Sequence, residues 1–425
     1  MTSLLKKTWL HETPYALLAL LVAFFLYMHT PNTDYDTPSY VNFYAMRPPI
    51  YPVFIWLFRW AGKYQFQLVM WAQSILTFIS LLYARQWIKK NLMVNDFLIF
   101  PVLIFVLSTI SLHSQMWYIQ SEGLSFPFFI FTFFLLVECF QQYSLKKIIY
   151  LALWVGILML TRLQFYYFYG IFILLVVWYA WKRVPIKSLG ICVVILAGSI
   201  LLTTLIDNTY HYFKHGFFSG EPASGVQFII QPIFLANPDA ADYFKNPTEK
   251  AMVQKIIGEV HKQKLNRDAT LLTSLTPQYY EYAYQSYYRN YVAMQSIVYN
   301  TFREISARDQ NRITNNISKI LVLHEFRKNL YFYCWKVIDA MGGVPLFLFF
   351  CLLLFSVFAK ILKNRLWKTN HSQLFVALTV IITFFNALLV STAEPNCPPY
   401  FCYTQFLLYC LAALFADRIF FNESL

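Results

Sequence analysis

Residues 146–183 read KKIIYLALWVGILMLTRLQFYYFYGIFILLVVWYAWKR, and this stretch decides the fold. Two apolar runs, 148–161 and 165–181, flank Arg162, and basic residues stand at both outer ends: Lys146 and Lys147 before, Lys182 and Arg183 after. Cytoplasmic connections of membrane proteins collect Lys and Arg, so both outer ends belong on one side and the pair folds back as a hairpin. The first half, 148–160, gives only about 20 Å of helix, short of the ~30 Å hydrocarbon core. Arg162 therefore sits at the tip, recessed below the far surface. An ionisable residue held at that depth is a functional candidate, although a tip arginine can also snorkel to the headgroups.

The same texture extends along the chain. Apolar runs fall at 14–30, 66–86, 96–113, 125–143, 148–161, 165–181, 188–206, 343–361, 372–391 and 403–418, which predicts ten transmembrane helices. With 58% hydrophobic residues, 13% charged residues and a mean hydropathy of +0.47, the chain has the composition of an all-α polytopic membrane protein. Three regions are expected: a membrane module over 1–206, a helical insertion over 207–342 and a second membrane module over 343–425. The run after Lys6 and Lys7 has no small-residue cleavage site behind it and reads as an uncleaved first span.

Starting from a cytoplasmic N-terminus, alternation places Lys6/Lys7, Arg85/Lys89/Lys90, Lys146/Lys147, Lys182/Arg183/Lys187 and Lys360/Lys363/Arg365/Lys368 on one side. Both termini are then cytoplasmic. The net charge of +13 follows from these connections, and no basic soluble face of the kind that binds nucleic acid is left over. Residues 34–52, 115–125, Arg162, 207–342 and 394–403 all face the extracytoplasmic side.

Residues 34–52, DYDTPSYVNFYAMRPPIYP, concentrate charge and proline after the first apolar run. Thr37 as a cap with Pro38 at the first helical position predicts a short helix. RPPIYPVFIWLFRWAG, 47–62, predicts a second one lying along the membrane surface. In the insertion, EKAMVQKIIGEVHKQKL and YVAMQSIVYNTFREI carry apolar residues at three- and four-residue spacing and predict helices on a modest core. The tyrosine-dense PQYYEYAYQSYYRNY between them suits an interface with headgroups or sugar rings. Cys397 and Cys402 share one short connection, which leaves a local disulfide open.

Four features stand at outer ends of different spans: Asp34/Asp36, Glu122, Arg162 and Glu394. A helical bundle can bring them to one cavity. A carboxylate within hydrogen-bond reach serves as a general base, and arginine holds phosphate by paired donors. Such a set suits transfer from a phospholipid-like donor to a hydroxyl. Each residue also has a plainer reading. Asp36 can cap the helix after it, Arg47 can pair with Asp34 or Asp36 as well as with phosphate, and Glu122 can be a solvated loop residue. His113 near Glu122 invites a metal site with Asp36, but the spacing matches no ligand pattern, so no metal or other cofactor is expected.

Asp36-Thr37-Pro38-Ser39-Tyr40 followed by Arg47-Pro48-Pro49-Ile50-Tyr51-Pro52 resembles the acidic first-loop motif of the GT-C superfamily of polytopic glycosyltransferases, particularly the bacterial relatives of protein O-mannosyltransferases. Ser121-Glu122, Thr161-Arg162, His215-Gly216-Phe217-Phe218 and Ala236-Asn237-Pro238-Asp239 are similar to further features of that group. Near the last spans, where many relatives carry an arginine-tyrosine pair, this chain has Glu394-Pro395-Asn396-Cys397-Pro398-Pro399-Tyr400. The resemblance implies an enzyme of the plasma (inner) membrane with its active site outside the cytoplasm. It would take a sugar, with inversion, from a polyprenyl-phosphate sugar to a glycan, lipid or protein acceptor. It also implies Asp36, or Asp34 in its place, as catalytic base, with Glu122 beside it and with Arg162 and Arg47 on the donor phosphate. A transporter or lipid flippase is the alternative class; transporters favour midplane charges on broken helices and paired halves, and the sequence shows neither.

Overall fold

A computed structural model describes residues 2–33, 36–110, 116–220, 224–266, 269, 277–363 and 369–421. Among the described residues the regular elements are helices, joined by an isolated parallel bridge between Asn32 and Tyr118. Among the described residues six helical stretches are long and apolar enough to cross a membrane: Arg59–Leu92, Glu122–Gln141, Leu163–Trp181, Ile186–His215, Gly343–Lys363 and His371–Ala393. This is the build of a membrane protein. Of the ten runs expected from sequence, six lie in these stretches. The first run lies in the helix Thr2–Met28, Asp96–Ile110 is a shorter apolar helix, and Leu145–Met159 has 15 residues, about 22 Å of helix.

The chain forms two compact units, the first comprising Met1–Asp207, Leu354–Val380 and Phe401–Leu425, the second Asn208–Leu353 and Ile381–Tyr400. In the first lie α1 (Thr2–Met28), α2 (Thr37–Val41), α3 (Ile50–Trp56), α4 (Gln65–Trp87), α5 (Asp96–Val106), α6 (Glu122–Gln141), α7 (Leu145–Met159) and α8 (Tyr167–Trp181). It also holds α9 (Ile186–His215) as far as Asp207, and α17 (Cys402–Phe420). Two short helices occupy 37–56, and the second ends six residues before Gly62, where a 3-10 turn Arg59–Tyr64 leads into α4. The cap is shifted by one position: Thr37 is the first helical residue, and Asp36 precedes it.

α6 is the centre of this unit because its phenylalanines pack on every side. Phe126, Phe129, Phe133 and Phe134 are fully buried, and they meet Tyr403, Phe406 and Phe375 ring to ring. α7 approaches α9 closely at Gly156, where a Cβ would stand 3.0 Å from Thr203 Oγ1. A side chain there would need the Thr203 hydroxyl to give way.

The second unit holds α10 (Ser224–Leu235), α11 (Pro247–Lys262), α12 (Pro277–Thr301), α13 (Ala307–His324) and α14 (Phe326–Ala340), with the adjoining parts of α15 (Gly343–Lys363) and α16 (His371–Ala393). Asn246 starts α11 by accepting from Thr248 N at 2.9 Å, with Pro247 as its first residue. Ser306 starts α13 by accepting from Asp309 N at 3.2 Å. The tyrosine-rich stretch proves to be core on one face: Tyr280, Tyr284, Tyr287 and Tyr291 recur at helical spacing. Tyr280, Tyr287 and Tyr291 are buried among Phe234, Met294 and Phe332. Tyr282 and Tyr288 on the other face remain exposed. The reading of the stretch as an interface therefore holds for at most that outer face, because the spacing of four, three and four turns the remaining rings inward.

A lysine lies inside this core. Lys336 is fully buried, donates to Gln231 Oε1 at 3.2 Å and stands 4.9 Å over the Tyr287 ring. Burial pulls its pKa down to about 7, against the opposing pull of Glu394 and Cys397. Cys397 and Cys402, for which the sequence leaves a disulfide open, are both free thiols.

Candidate functional site

The first unit brings together three short stretches that sequence reasoning marks separately: 36–47, the start of α6 and the turn between α7 and α8. Backbone and amide contacts fix their register. Asn32 N donates to Trp117 O and Ile119 N to Asn32 O, each at 3.0 Å, and Thr37 Oγ1 donates to Ile119 O at 3.1 Å. From α4, Gln73 Nε2 donates to Met116 O at 3.1 Å and Tyr118 O at 2.6 Å, and its Oε1 accepts from Tyr51 at 3.3 Å. Ile50 N donates to Leu160 O at 3.0 Å and ties α3 to the hairpin tip.

Within this frame Asp36 occupies the cap position of α2 but makes no side-chain cap hydrogen bond. Its carboxylate pairs with Arg47 instead, so capping does not account for it. Arg47 Nε also donates to Ser39 Oγ at 2.7 Å and Nη1 to the Tyr40 hydroxyl at 3.1 Å, with the guanidinium 4.3 Å over the Tyr40 ring. Glu122 is the first residue of α6 and is almost enclosed; it pairs with Arg162, which lies in extended backbone before the 3-10 turn Leu163–Tyr166. Arg162 is largely buried as well, so simple snorkelling does not describe it.

The two ion pairs meet at Tyr40. Its hydroxyl lies 3.0 Å from Ser121 Oγ, which donates to Glu122 Oε2 at 3.4 Å. Burial pushes the phenol above its usual pKa; Arg47 and Arg162 draw it down, while Glu122 and Asp36 push it up. Four charges from three stretches thus act on one buried hydroxyl. Further along, Ser125 Oγ lies 2.7 Å from the Tyr403 hydroxyl of α17.

Of the residues named from sequence, Asp36, Arg47, Glu122 and Arg162 are brought together. Asp34 and His113 lie outside the described residues. Glu394 belongs to the second unit, where it acts on Lys336 and Tyr291. Sequence reasoning missed Tyr40, Ser121, Ser125 and Tyr403 as participants. The first two stand inside motifs it quoted, Asp36-Thr37-Pro38-Ser39-Tyr40 and Ser121-Glu122, without being given a role; nothing marks the last two.

The arrangement contains an acid and a cation of different accessibility. The Asp36 side chain is 45% exposed and open to an incoming hydroxyl, whereas Glu122 at 8% and Arg162 at 12% are enclosed. Enclosing the Glu122–Arg162 pair costs several kcal/mol of desolvation per ion and contributes little net stability. No family model matches the chain, and no curated protein or solved structure is significantly similar to it.

Proposed function

We propose that the protein is a GT-C-type membrane glycosyltransferase with ten spans, both termini in the cytoplasm of a cell whose plasma membrane it occupies, and the Asp36 site on the opposite side. The observation that carries this reading is the convergence of Asp36, Arg47, Glu122 and Arg162 around Tyr40. The donor is a polyprenyl-phosphate sugar and the acceptor a hydroxyl of a glycan, lipid or protein.

In the reaction the acceptor O–H gives its proton to the Asp36 carboxylate as its oxygen bonds to the anomeric carbon. The bond from that carbon to the phosphate oxygen breaks with its electron pair, and the configuration inverts. Negative charge grows on the departing polyprenyl phosphate, and Arg162 and Arg47 stabilise it as planar donors suited to phosphate. Glu122 keeps Arg162 in place until the phosphate arrives.

Purified protein in detergent is expected to consume a radiolabelled polyprenyl-phosphate sugar when acceptor is supplied, releasing polyprenyl phosphate. A protein that leaves the labelled donor chemically intact with every acceptor class, yet moves lipid across a vesicle membrane, belongs to the flippase class instead.

A further inference from the structure

The hydrogen-bond chain between the two ion pairs has a direction. Arginine can only donate and a carboxylate can only accept, while each hydroxyl carries one proton. Arg47 Nη1 donates to the Tyr40 oxygen at 3.1 Å. Ser121 spends its proton on Glu122 Oε2, so the 3.0 Å contact between Tyr40 and Ser121 is a bond that Tyr40 donates. The order is Arg47 to Tyr40 to Ser121 to Glu122. From Tyr40 on it is enclosed: Tyr40 is 3% exposed and Ser121 2%. Ser121 stands at the cap position of α6 yet makes no side-chain cap bond, because its hydroxyl is directed to Glu122.

We infer that Tyr40 and Ser121 are positioning residues that couple the Asp36–Arg47 pair to the Glu122–Arg162 pair, an inference that rests on the glycosyl-transfer reading. When Asp36 takes the acceptor's proton it loses its charge, and Arg47 is no longer neutralised. Arg47 then polarises Tyr40 and Ser121 more strongly, since hydrogen bonds in series reinforce one another in a low-dielectric site. The change reaches Glu122 and loosens its hold on Arg162 as charge develops on the leaving phosphate. Base and phosphate clamp therefore act in one step.

The test is a cycle of Tyr40→Phe, Ser121→Ala and the double variant. Phe keeps the ring that lies under Arg47 and against Tyr51, whose centroid is 4.9 Å away, but cuts the chain. Each single variant is expected to lower kcat about tenfold with donor KM within about twofold, the scale of one enclosed hydrogen bond. The double variant should be no slower than the slower single, because both break one chain, and Ser121→Thr should restore turnover. An unchanged kcat in Tyr40→Phe, or losses that multiply to about a hundredfold, would overturn the coupling. If the wild type consumes no donor, the glycosyl-transfer reading fails separately, and the same cycle is read in thermal unfolding. Equal drops in Tm for both singles and the double then support the chain, and additive drops refute it.

Discussion

Arg85 and Arg47 lie in the same unit, each against carboxylates, and the contrast between them shows what separates a fastening from a site. Arg85 is 4% exposed and directs every guanidinium nitrogen to a carboxylate: Nε and Nη2 to Asp96 at 2.9 and 2.6 Å, Nη1 and Nη2 to Glu12 at 2.6 and 3.1 Å. Tyr15 closes the arrangement, its ring 3.6 Å from the guanidinium and its hydroxyl donating to Asp96 at 2.7 Å. Lys89 adds a second cation to Asp96 at 3.1 Å, Glu12 lies at the exposed rim, and the knot ties α1, α4 and α5. Arg47 meets one carboxylate and two hydroxyls, and that carboxylate is nearly half exposed. What sets Arg47 apart is that it shares its donors between one carboxylate and two hydroxyls, whereas Arg85 gives all of its to carboxylates.

Breaking the closed knot should have the largest effect. Arg85→Gln takes the enclosed cation from between Glu12 and Asp96 and leaves Asp96, 15% exposed, with Lys89 at 3.1 Å and Tyr15 at 2.7 Å, which costs about 3 kcal/mol for the enclosed Arg85–Asp96 pair. Little monodisperse protein should survive purification, and activity should fall only in proportion to the folded fraction. A variant that melts like the wild type would erase the distinction drawn from Arg85.

At the open site the opposite pattern is expected. Arg162→Lys keeps the charge near Glu122 but loses the planar fork, so donor turnover should drop about a hundredfold, about 2.7 kcal/mol in transition-state binding, while the melting temperature moves by only a few degrees. Unfolding as severe as in Arg85→Gln would make the Glu122–Arg162 pair another fastening.

Lys336 sharpens the contrast from the second unit, because it is a buried cation held by a neutral amide. Its folded pKa of about 7 lies below the ordinary lysine value of 10.5. Between those values the unfolded chain holds a proton that the folded chain has lost, so stability rises with pH across that window. Lys336→Met should flatten this rise and lift the melting temperature at pH 7 by several degrees, as read from melts at pH 7 and pH 9. A slope equal to that of the wild type would show that Lys336 does not titrate there.

Much of the helical framework is legible in the sequence. The run 66–86 appears as α4 and the run 165–181 as the last part of Leu163–Trp181, since apolar length is a local property. The charges of the site are legible too, because Asp36, Arg47, Glu122 and Arg162 are conspicuous between apolar runs. Their pairing is not. Tyr40 and Ser121 are 81 positions apart, and the bridge between Asn32 and Tyr118, with Thr37 donating to Ile119 O, brings them into register. Arg85 reads from sequence as a cytoplasmic topology charge, yet its acids come from a preceding and a following helix. The inward face of 280–291 was masked by the density of tyrosines, which hid a helical period in a stretch that looks uniformly interfacial.

The central claim is that Asp36 is a base and not a structural acid. Asp36→Asn keeps the size and the backbone that precedes α2, where the carboxylate makes no cap bond. Turnover of labelled polyprenyl-phosphate sugar by this variant, measured beside its thermal unfolding in the same detergent, decides the matter. The account predicts transfer reduced at least about a thousandfold, about 4 kcal/mol, with a melt close to that of the wild type. Near-normal transfer, or loss of transfer that merely follows loss of fold, would contradict it.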